Sequence, residues 1–449
     1  MSEKILNKNQ LIESFEKGCK PKDKWKIGTE HEKFGFQKKN LKPINFDQIE
    51  KIFYSLNNKF DWKMIFENGH VIALKKAGSN ITLEPGGQIE LSGAPLENIF
   101  LTCEEVNSHQ RELKYVSDQY GIDYIGMGFL PKWEIADTPK IPKRRYQIMR
   151  KYMQKVGDHG LDMMHRTATI QTNLDYESEE DMVKKFRISI SIQPAIIALY
   201  ANSPFVSGKL SNFMSYRSWV WQNTDHQRCG FLPMVFEKNF SFEKYVDYVL
   251  NVPMYFLRRN NHYIDCTGMS FLDFISGKFN SKIYGLPLLS DWEDHMTTVF
   301  PEVRLKTFLE LRGTDGGPWS SVCALPAFWV GLLYDSKNID ILYDMIEKWT
   351  NLDRKLFYSN VAKFGMKAES PNKKNICILI EKLLILSKDG LDRRAIEKNN
   401  ENESKFLSPL FKILERGNSP AEIWAQLFQT KWNKKIDNIY KNNIFSKTK

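Results

Sequence analysis

Hydrophobic and polar residues alternate along residues 27–36 (IGTEHEKFGF), and this pattern predicts a β-strand. On a strand the side chains of Glu30 and Glu32 share one face, and His31 points to the other. Apolar residues flank the pair, so we expect the strand to be partly buried. Two like charges on one side of such a strand repel each other unless a positive charge lies between them.

A second segment, residues 80–95 (NITLEPGGQIELSGAP), repeats this arrangement. Glu84 ends an alternating run, the Pro-Gly-Gly sequence that follows forms a bend, and Gln88 and Glu90 then share a face. No lysine or arginine occupies the alternate positions between the carboxylates of either segment. Because oxygen-only ligands suit hard cations, the pattern predicts a site for Mg²⁺ or Mn²⁺ rather than zinc.

Two later segments carry polar rows of the same kind. Residues 165–174 (HRTATIQTNL) place four polar side chains on one face of a strand, namely Thr167, Thr169, Gln171 and Asn173. Residues 304–312 (RLKTFLELR) are predicted to form one strand with four charged side chains on one face, namely Arg304, Lys306, Glu310 and Arg312. If all these strands lie in one sheet, Gln171 and Glu310 join the carboxylates around one or two metal ions. Arg312 then lies beside the metal and can neutralise charge on a transferred phosphoryl group.

The periodicity between and after these strands is helical. Helices are predicted at residues 8–19, 46–60, 95–120 and 180–200, and then at 318–349, 374–388, 403–416 and 419–442. No composition break and no internal repeat divides the chain. We therefore predict a single α+β catalytic domain over residues 1–449, with an N-terminal helix in 1–24, a sheet-bearing core in 25–317 and a mainly helical layer in 318–449.

Composition and charge narrow the class of protein. Hydrophobic residues make up 42% of the 449 residues and aromatic residues 13%, which permits a sizeable core and argues against disorder. The net charge of +10 comes from 64 basic and 54 acidic residues spread along the chain, so we expect no nucleic-acid partner. The positive charge suits anionic substrates such as a nucleotide and a dicarboxylic acid.

The expected environment is a reducing one. No run is long and apolar enough to span a bilayer, and the N-terminus has neither a signal nor a transit pattern, so we expect a cytoplasmic protein without a membrane partner. The six cysteines form no CxxC pair, which disfavours cysteine-bound zinc and makes reduced thiols the default.

No phosphate-binding loop is present, because the chain has neither GxxxxGK[ST] nor a full GxGxxG. Metal ions and arginines would therefore hold ATP if it binds. A dense basic cluster in residues 139–156, which includes Arg145, offers either phosphate or carboxylate contacts or only a solvated helix face. Taken alone, the residues indicate a metal-dependent enzyme.

Four segments together resemble the glutamate–cysteine ligases of the plant and proteobacterial type. They are IGTEHEKFGF (27–36), ENGHVIALKKAGSNITLEPGGQIELSGAPLENI (67–99), VGDHGLDMMHRTATIQTNLDY (156–176) and EVRLKTFLELRGTDGGPW (302–319). The likeness runs from about residue 25 to about residue 435. It implies a fold related to glutamine synthetase, in which a curved, mostly antiparallel sheet forms the floor of the active site.

The resemblance implies an activity and a set of site residues. ATP would phosphorylate the γ-carboxylate of L-glutamate, and the amine of L-cysteine would then attack, giving γ-glutamylcysteine in the first step of glutathione synthesis. By matching positions the metal shell would be Glu30, Glu32, Glu84, Glu90, Gln171 and Glu310. Arg312 and Glu84 would be catalytic, Arg312 contacting the transferred phosphoryl group, and Arg145 and Arg217 would hold substrate carboxylates or, for Arg145, phosphate.

The resemblance also bears on the cysteines. Cys103 and Cys323 fall where plant members place a regulatory pair, so they form a possible reversible disulfide, with two reduced buried thiols as the alternative. Ser281 stands where plant members have a second cysteine, so Cys266 cannot form that bridge. Arg144 and His165 depart from the glycine and the apolar residue that the resemblance leads us to expect. These departures concern the detailed geometry of substrate binding and not the reaction class.

Two alternatives to this interpretation remain open. The chain could be a ligase of the same group that joins glutamate to a different amine. It could also be a catalytically inactive relative that binds or regulates, although all six residues of the metal shell are present. We expect a monomer or a weak homodimer.

Overall fold

The structure is a computed structural model that describes residues 3–260 and 262–445. Its strands are β1 Ile27–Gln37, β2 Lys63–Glu67, β3 His70–Lys76, β4 Ser79–Leu83, β5 Ile89–Ser92, β6 Ile122–Ile125, β7 Thr169–Leu174, β8 Phe205–Val206, β9 Lys209–Leu210, β10 Cys229–Gly230, β11 Phe256–Arg259, β12 His262–Asp265, β13 Phe300–Pro301, β14 Val303–Leu305 and β15 Leu309–Asp315.

Its α-helices are α1 Asn9–Glu16, α2 Phe46–Phe60, α3 Ile99–Asp118, α4 Arg144–Met153, α5 Gly160–Arg166, α6 Glu179–Tyr200, α7 Tyr216–Gln222, α8 Phe242–Asn251, α9 Phe271–Ile275, α10 Ser281–Tyr284, α11 Leu289–Met296, α12 Trp319–Leu333, α13 Ser336–Glu347, α14 Asn351–Phe364, α15 Ile376–Lys398, α16 Ser408–Arg416, α17 Pro420–Gln429 and α18 Asn438–Asn442. Short 3₁₀ turns lie at Lys22–Lys24, Ile135–Asp137, Pro233–Phe236, Gly365–Lys367 and Glu403–Leu407.

A nine-stranded sheet organises the fold. Its strands lie in the order β14-β15-β7-β1-β5-β4-β3-β2, and β6 pairs with the last residues of β1. Every neighbouring pair in this sheet is antiparallel. The prediction of an α+β fold with a mostly antiparallel sheet is confirmed.

The two faces of β1 differ as the alternation predicts. Thr29, His31 and Lys33 are almost fully buried on the side that faces the helices, where the His31 ring lies 5.6 Å from the ring of His109 on α3. Glu30 and Glu32 are only partly buried and point to the opposite side. Since α3 and α12 cover the first face, the second face is the one that is left for chemistry.

The observed helices match the predicted ones most closely where the capping residues are clear in the sequence. Helix α2 covers the predicted residues, because Asn45 and Gln48 form a reciprocal capping box at its start. The predicted helix 318–349 is instead two helices, because Asp335 caps α13 by accepting the N–H of Asn338 at 2.8 Å.

Two further predictions about helices differ from the structure. The predicted helix 419–442 is interrupted between α17 and α18, where Asn433 and Lys434 have positive φ. His165 and Arg166, predicted to begin a strand, end helix α5.

Within the described ranges, no helix has both the length and the apolar character needed to cross a membrane. The division of the chain into segments 1–24, 25–317 and 318–449 stays a prediction, and residues 1–2, 261 and 446–449 lie outside the described residues.

Candidate functional site

The sheet register brings the carboxylates of the first two segments together. Glu32 on β1 lies directly opposite Glu90 on β5, and Glu30 is paired with Ser92 on one side and Gln171 on the other. Side chains that are directly opposite on antiparallel strands have Cβ atoms about 5 Å apart. The predicted acidic face is therefore built by neighbouring central strands.

Neutral amides border these carboxylates on the side of β7. Asn173 Nδ2 donates to Glu30 Oε1 at 2.7 Å, and Gln171 Oε1 accepts from Arg312 Nη1 at 3.0 Å. Asn173 also lies opposite Glu310 in the register. The face therefore changes from acidic on β1 and β5, through amides on β7, to basic on β15 and β14.

Residues 304–312 do not form the single strand that we predicted. They fold into the β14–β15 hairpin, in which Arg304 lies opposite Glu310 and residues 306–308 make the turn. A charged alternation can be read equally as one strand or as two that face each other, because both place the same side chains on one face. The hairpin brings Arg304 and Lys306 back onto Glu310.

Three cations surround the Glu310 carboxylate. Arg304 donates to it from Nε at 2.6 Å and from Nη2 at 2.9 Å, Lys306 Nζ lies at 2.9 Å, and Arg312 Nη1 at 2.7 Å. Burial alone would raise the pKa of Glu310, but these three cations hold it well below its usual value. Both oxygens are occupied, so Glu310 could ligate a metal ion only by giving up these contacts.

The other carboxylates have the opposite electrostatics. Burial, Glu310 and Glu90 raise the pKa of Glu30 to about 7. Burial and the carboxylates of Glu84 and Glu90 raise the pKa of Glu32 well above its usual value, and burial and Glu84 raise that of Glu90. Lys306 lowers the pKa of Glu30, and Arg217 and Arg312 lower that of Glu32, but by less than burial and the carboxylates raise them. Negative charge on this part of the face is therefore only partly compensated.

This part of the face suits a hard divalent cation by charge and by donor type. Glu30, Glu32, Glu84 and Glu90 offer oxygen ligands, and a bound cation would remove the repulsion that raises the pKa values of three of them. Among the described residues no group of three or more His, Cys, Asp or Glu side chains is already arranged to hold a metal ion. The metal shell that the resemblance implies thus stays a prediction, and Glu310 fits it least.

Glu84 lies on the turn between β4 and β5, and a close backbone contact fixes that turn. The N–H of Glu84 donates to Gln88 O at 3.0 Å, and Gly86 packs directly on the backbone of His165. Gln88, which we predicted to share the face of Glu90, instead turns into the interior and donates to Thr167 O at 2.7 Å. It precedes the first residue of β5, so strand alternation does not apply to it.

Replacing Gly86 by alanine should disturb this turn. An added Cβ would lie 2.1 Å from His165 O, a backbone atom that cannot rotate away. We expect the free energy of unfolding to fall by about 2 kcal/mol, as in overpacked sites, and activity to fall because Glu84 moves. Urea titration and steady-state assay measure the two effects.

The matched control is Gly69→Ala in the turn between β2 and β3. Gly69 has φ +83° and no atom within 4 Å of its added Cβ, so this change should cost only the backbone strain of about 1 kcal/mol and leave activity unchanged. Equal losses of activity in the two variants would contradict the role of the Gly86 contact.

Arg145 and Arg217 lie at different depths. Arg145 Nη2 donates to Thr297 Oγ1 at 3.2 Å, and its buried Nε has no partner among the described residues. Arg217 is buried, and its Nη1 and Nη2 donate to the carbonyls of Gly313 and Arg312, each at 3.0 Å. Arg217 thus holds the irregular stretch of β15 that carries Arg312, and substrate binding by either arginine stays a prediction.

Sequence patterns assigned no role to two neutral side chains that hold the carboxylates. Asn173 was recognised only as one of a polar row, and Thr82, whose Oγ1 donates to Glu90 Oε2 at 2.7 Å, was not singled out. Asn173 shares a face of β7 with Gln171, and Thr82 lies opposite Glu90 in the register of β4 and β5. The shared face of Asn173 and Gln171 is the signal that the sequence offered.

Cys103 on α3 and Cys323 on α12 are buried neighbours. Both thiols are free, and a hydrogen bond with Cys323 together with burial raises the pKa of Cys103. The structure therefore brings the predicted pair together in the reduced state, and a disulfide between them stays a prediction.

Comparisons with known proteins agree on one family. A family model described as glutamate–cysteine ligase family 2 matches residues 26–442. The chain is 50% identical over 441 residues to glutamate–cysteine ligase B, chloroplastic, of Oryza sativa subsp. japonica, covering 98% of this chain and 88% of that one. It is 47% identical over 441 residues to the chloroplastic glutamate–cysteine ligase of Arabidopsis thaliana, covering 98% and 83%.

A solved structure is similar in fold. The crystal structure of glutamate–cysteine ligase from Francisella tularensis in complex with AMP aligns with a TM-score of 0.55 and 13% identity, over 95% of this chain and 89% of that one. The prediction of a cytoplasmic location is wrong, because the curated relatives from rice, Medicago truncatula and Arabidopsis thaliana are chloroplastic proteins.

Proposed function

Because the chain belongs to glutamate–cysteine ligase family 2, we propose that it joins the γ-carboxylate of L-glutamate to the amine of L-cysteine at the expense of ATP. The observation that carries the proposal is the graded face of the sheet, in which carboxylates, amides and cations follow one another across β5, β1, β7 and β15. Phosphorylation of a carboxylate needs cationic groups at the phosphoryl oxygens and, beside them, carboxylates that can hold a metal ion.

The reaction has two steps. In the first, a γ-carboxylate oxygen attacks the γ-phosphorus of ATP, and the bond to the bridging oxygen of ADP breaks. In the second, the cysteine amine attacks the acyl carbon, phosphate leaves and the nitrogen loses a proton. Arg312 would contact the phosphoryl oxygens, where charge is spread over three atoms during transfer.

A divalent cation, Mg²⁺ or Mn²⁺, would be held by Glu30, Glu32, Glu84 and Glu90. When bound it would neutralise phosphate oxygens and orient the nucleotide. Asn173 and Thr82 keep two of these carboxylates in place by hydrogen bonds at 2.7 Å. Arg145, whose Nε has no hydrogen-bond partner in the described part of the chain, would hold an anionic group of the substrate. The predicted oligomeric state is a monomer or a weak homodimer.

The test is ADP release measured with each component left out in turn. We expect release only when L-glutamate, L-cysteine, ATP and Mg²⁺ are all present, and γ-glutamylcysteine as the product by mass spectrometry. Glu84→Ala should abolish product formation. A panel of other amines separates this function from the second candidate, a glutamate ligase with a different acceptor, which would release more phosphate with another amine than with cysteine.

We also predict that mild oxidation links Cys103 to Cys323. Their contact in the reduced protein places the thiols close together, but the raised pKa of Cys103 keeps the thiolate scarce, so the bond should form slowly and faster at higher pH. Non-reducing peptide mass spectrometry after treatment with oxidised glutathione detects the bridge. Cys323→Ser is the control, and free thiols at both positions after prolonged oxidation would rule the bridge out.

A further inference from the structure

The β14–β15 hairpin carries more positive charge than its carboxylate neutralises. We call Arg304, Lys306 and Arg312 around Glu310 the cationic corner. Three cations and one anion leave a net charge of +2, next to the amides of Gln171 and Asn173. A buried carboxylate can be satisfied by a bidentate arginine, so the additional cations call for a further explanation.

The cations of this corner are not equivalent. Arg304 donates twice to Glu310 and from Nη1 to the carbonyl of Val299 at 3.0 Å, and its side chain is only 7% exposed. The side chain of Lys306 is 28% exposed. Among the described residues its ammonium hydrogen-bonds only to Glu310 Oε1, at 2.9 Å. Since an ammonium has three N–H donors, two N–H groups of Lys306 remain available, and its side chain is more exposed than that of Arg304.

Lys306 belongs to the basic part of the face and is connected to its acidic part. Lys306 binds Glu310, which lies opposite Asn173 in the register, and Asn173 donates in turn to Glu30 Oε1 at 2.7 Å. The turn that carries it is held in place, because Tyr176 donates its hydroxyl to Lys306 O at 2.9 Å. A partly exposed cation on a fixed turn, within electrostatic reach of the carboxylates, is suited to an anion that arrives between them.

We propose that Lys306 is a further catalytic residue, which contacts the phosphoryl group during its transfer from ATP to glutamate. This inference rests on the proposed function. As the bond from the γ-phosphorus to the ADP oxygen breaks and the bond to the γ-carboxylate oxygen forms, the ammonium hydrogen-bonds to a phosphoryl oxygen and stays protonated throughout. Arg304 and Glu310 are positioning residues, which aim Lys306 and Arg312 at that group.

The experiment isolates the first step. Without cysteine, reversible formation of γ-glutamyl phosphate moves ¹⁸O from the β,γ-bridge of labelled ATP to non-bridging positions of the β-phosphate, and this scrambling is followed by ³¹P NMR with glutamate and Mg²⁺ present. We expect Lys306→Met to slow scrambling about 100-fold, the order found for loss of one preorganised donor to a transition state. Lys306→Arg should recover it to within about tenfold, since it keeps the charge.

The matched control is Lys278→Met, an exposed lysine paired with Asp273 away from the sheet, which should scramble as the wild type does. Lys306→Gln, which keeps an N–H donor for Glu310 without the charge, decides the question if Lys306→Met fails to fold. If a well-folded Lys306→Met or Lys306→Gln variant scrambles ¹⁸O at the wild-type rate and shows only a lower melting temperature, the inference about Lys306 is wrong, while the proposed function stands. Absence of scrambling in the wild type would overturn the proposed function together with it.

Discussion

Replacing Glu30 by glutamine should nearly abolish ligase activity and yet stabilise the metal-free protein. We expect a loss of about a thousandfold in kcat, because one charged ligand of the proposed cation is removed while the shape of the side chain is kept. Steady-state ADP release at saturating substrates measures the loss. A fall of less than tenfold would remove Glu30 from the catalytic machinery.

The gain in stability follows from the pKa of Glu30, which burial and neighbouring carboxylates raise to about 7. A carboxyl whose pKa is raised on folding binds its proton more tightly in the folded state. The wild type is therefore destabilised progressively as pH rises from about 4.5 to about 7, by up to about 3 kcal/mol. In metal-free buffer Glu30→Gln should melt above the wild type at pH 8 and close to it at pH 5.

Two controls separate this effect from others. Adding MgCl₂ at pH 8 should raise the melting temperature of the wild type and reduce the difference, because the cation supplies the missing counter-charge. Glu104→Gln, on the exposed surface of α3, should change neither activity nor this pH profile. A melting temperature of Glu30→Gln below that of the wild type at pH 8 would contradict the picture of uncompensated charge.

Replacing Arg312 by methionine should lower kcat by about a thousandfold, the range found when an arginine that stabilises a transferred phosphoryl group is removed. Arg312 Nη1 bridges Gln171 and Glu310 at 3.0 and 2.7 Å, at the boundary between the amides and the cationic corner. The fold should persist, because Arg304 and Lys306 still neutralise Glu310. Initial rates and circular dichroism measure the two expectations.

Arg312→Lys should recover only part of the loss, since an ammonium cannot reproduce the planar fork of a guanidinium. The control Arg111→Met removes an exposed arginine that pairs with Glu104 on α3, and should leave kcat unchanged. If Arg312→Met keeps more than a tenth of the wild-type kcat, Arg312 does not stabilise the transferred group.

Local patterns predicted the central strands correctly because one face of each is buried. On β1 the alternation of Glu30 and Glu32 with buried His31 fixes which side chains face the helices, and a slip of one residue would bury both carboxylates. The same argument holds for Glu90 on β5. The alternation predicted the wrong side for Gln88, because this residue precedes β5 and is not part of the strand.

Local sequence patterns were enough to predict which residues make up the site: alternation assigned Glu30, Glu32, Glu90 and Arg312 to strand faces, and four segments identified the family. Tertiary structure alone decided how these charges are compensated. Only the hairpin pairing of β14 with β15 adds Arg304 and Lys306 to Arg312 around Glu310, while Glu30 faces other carboxylates. Spacing along a chain records which face a side chain occupies, whereas the energy of a charge depends on the neighbours that distant strands bring to it.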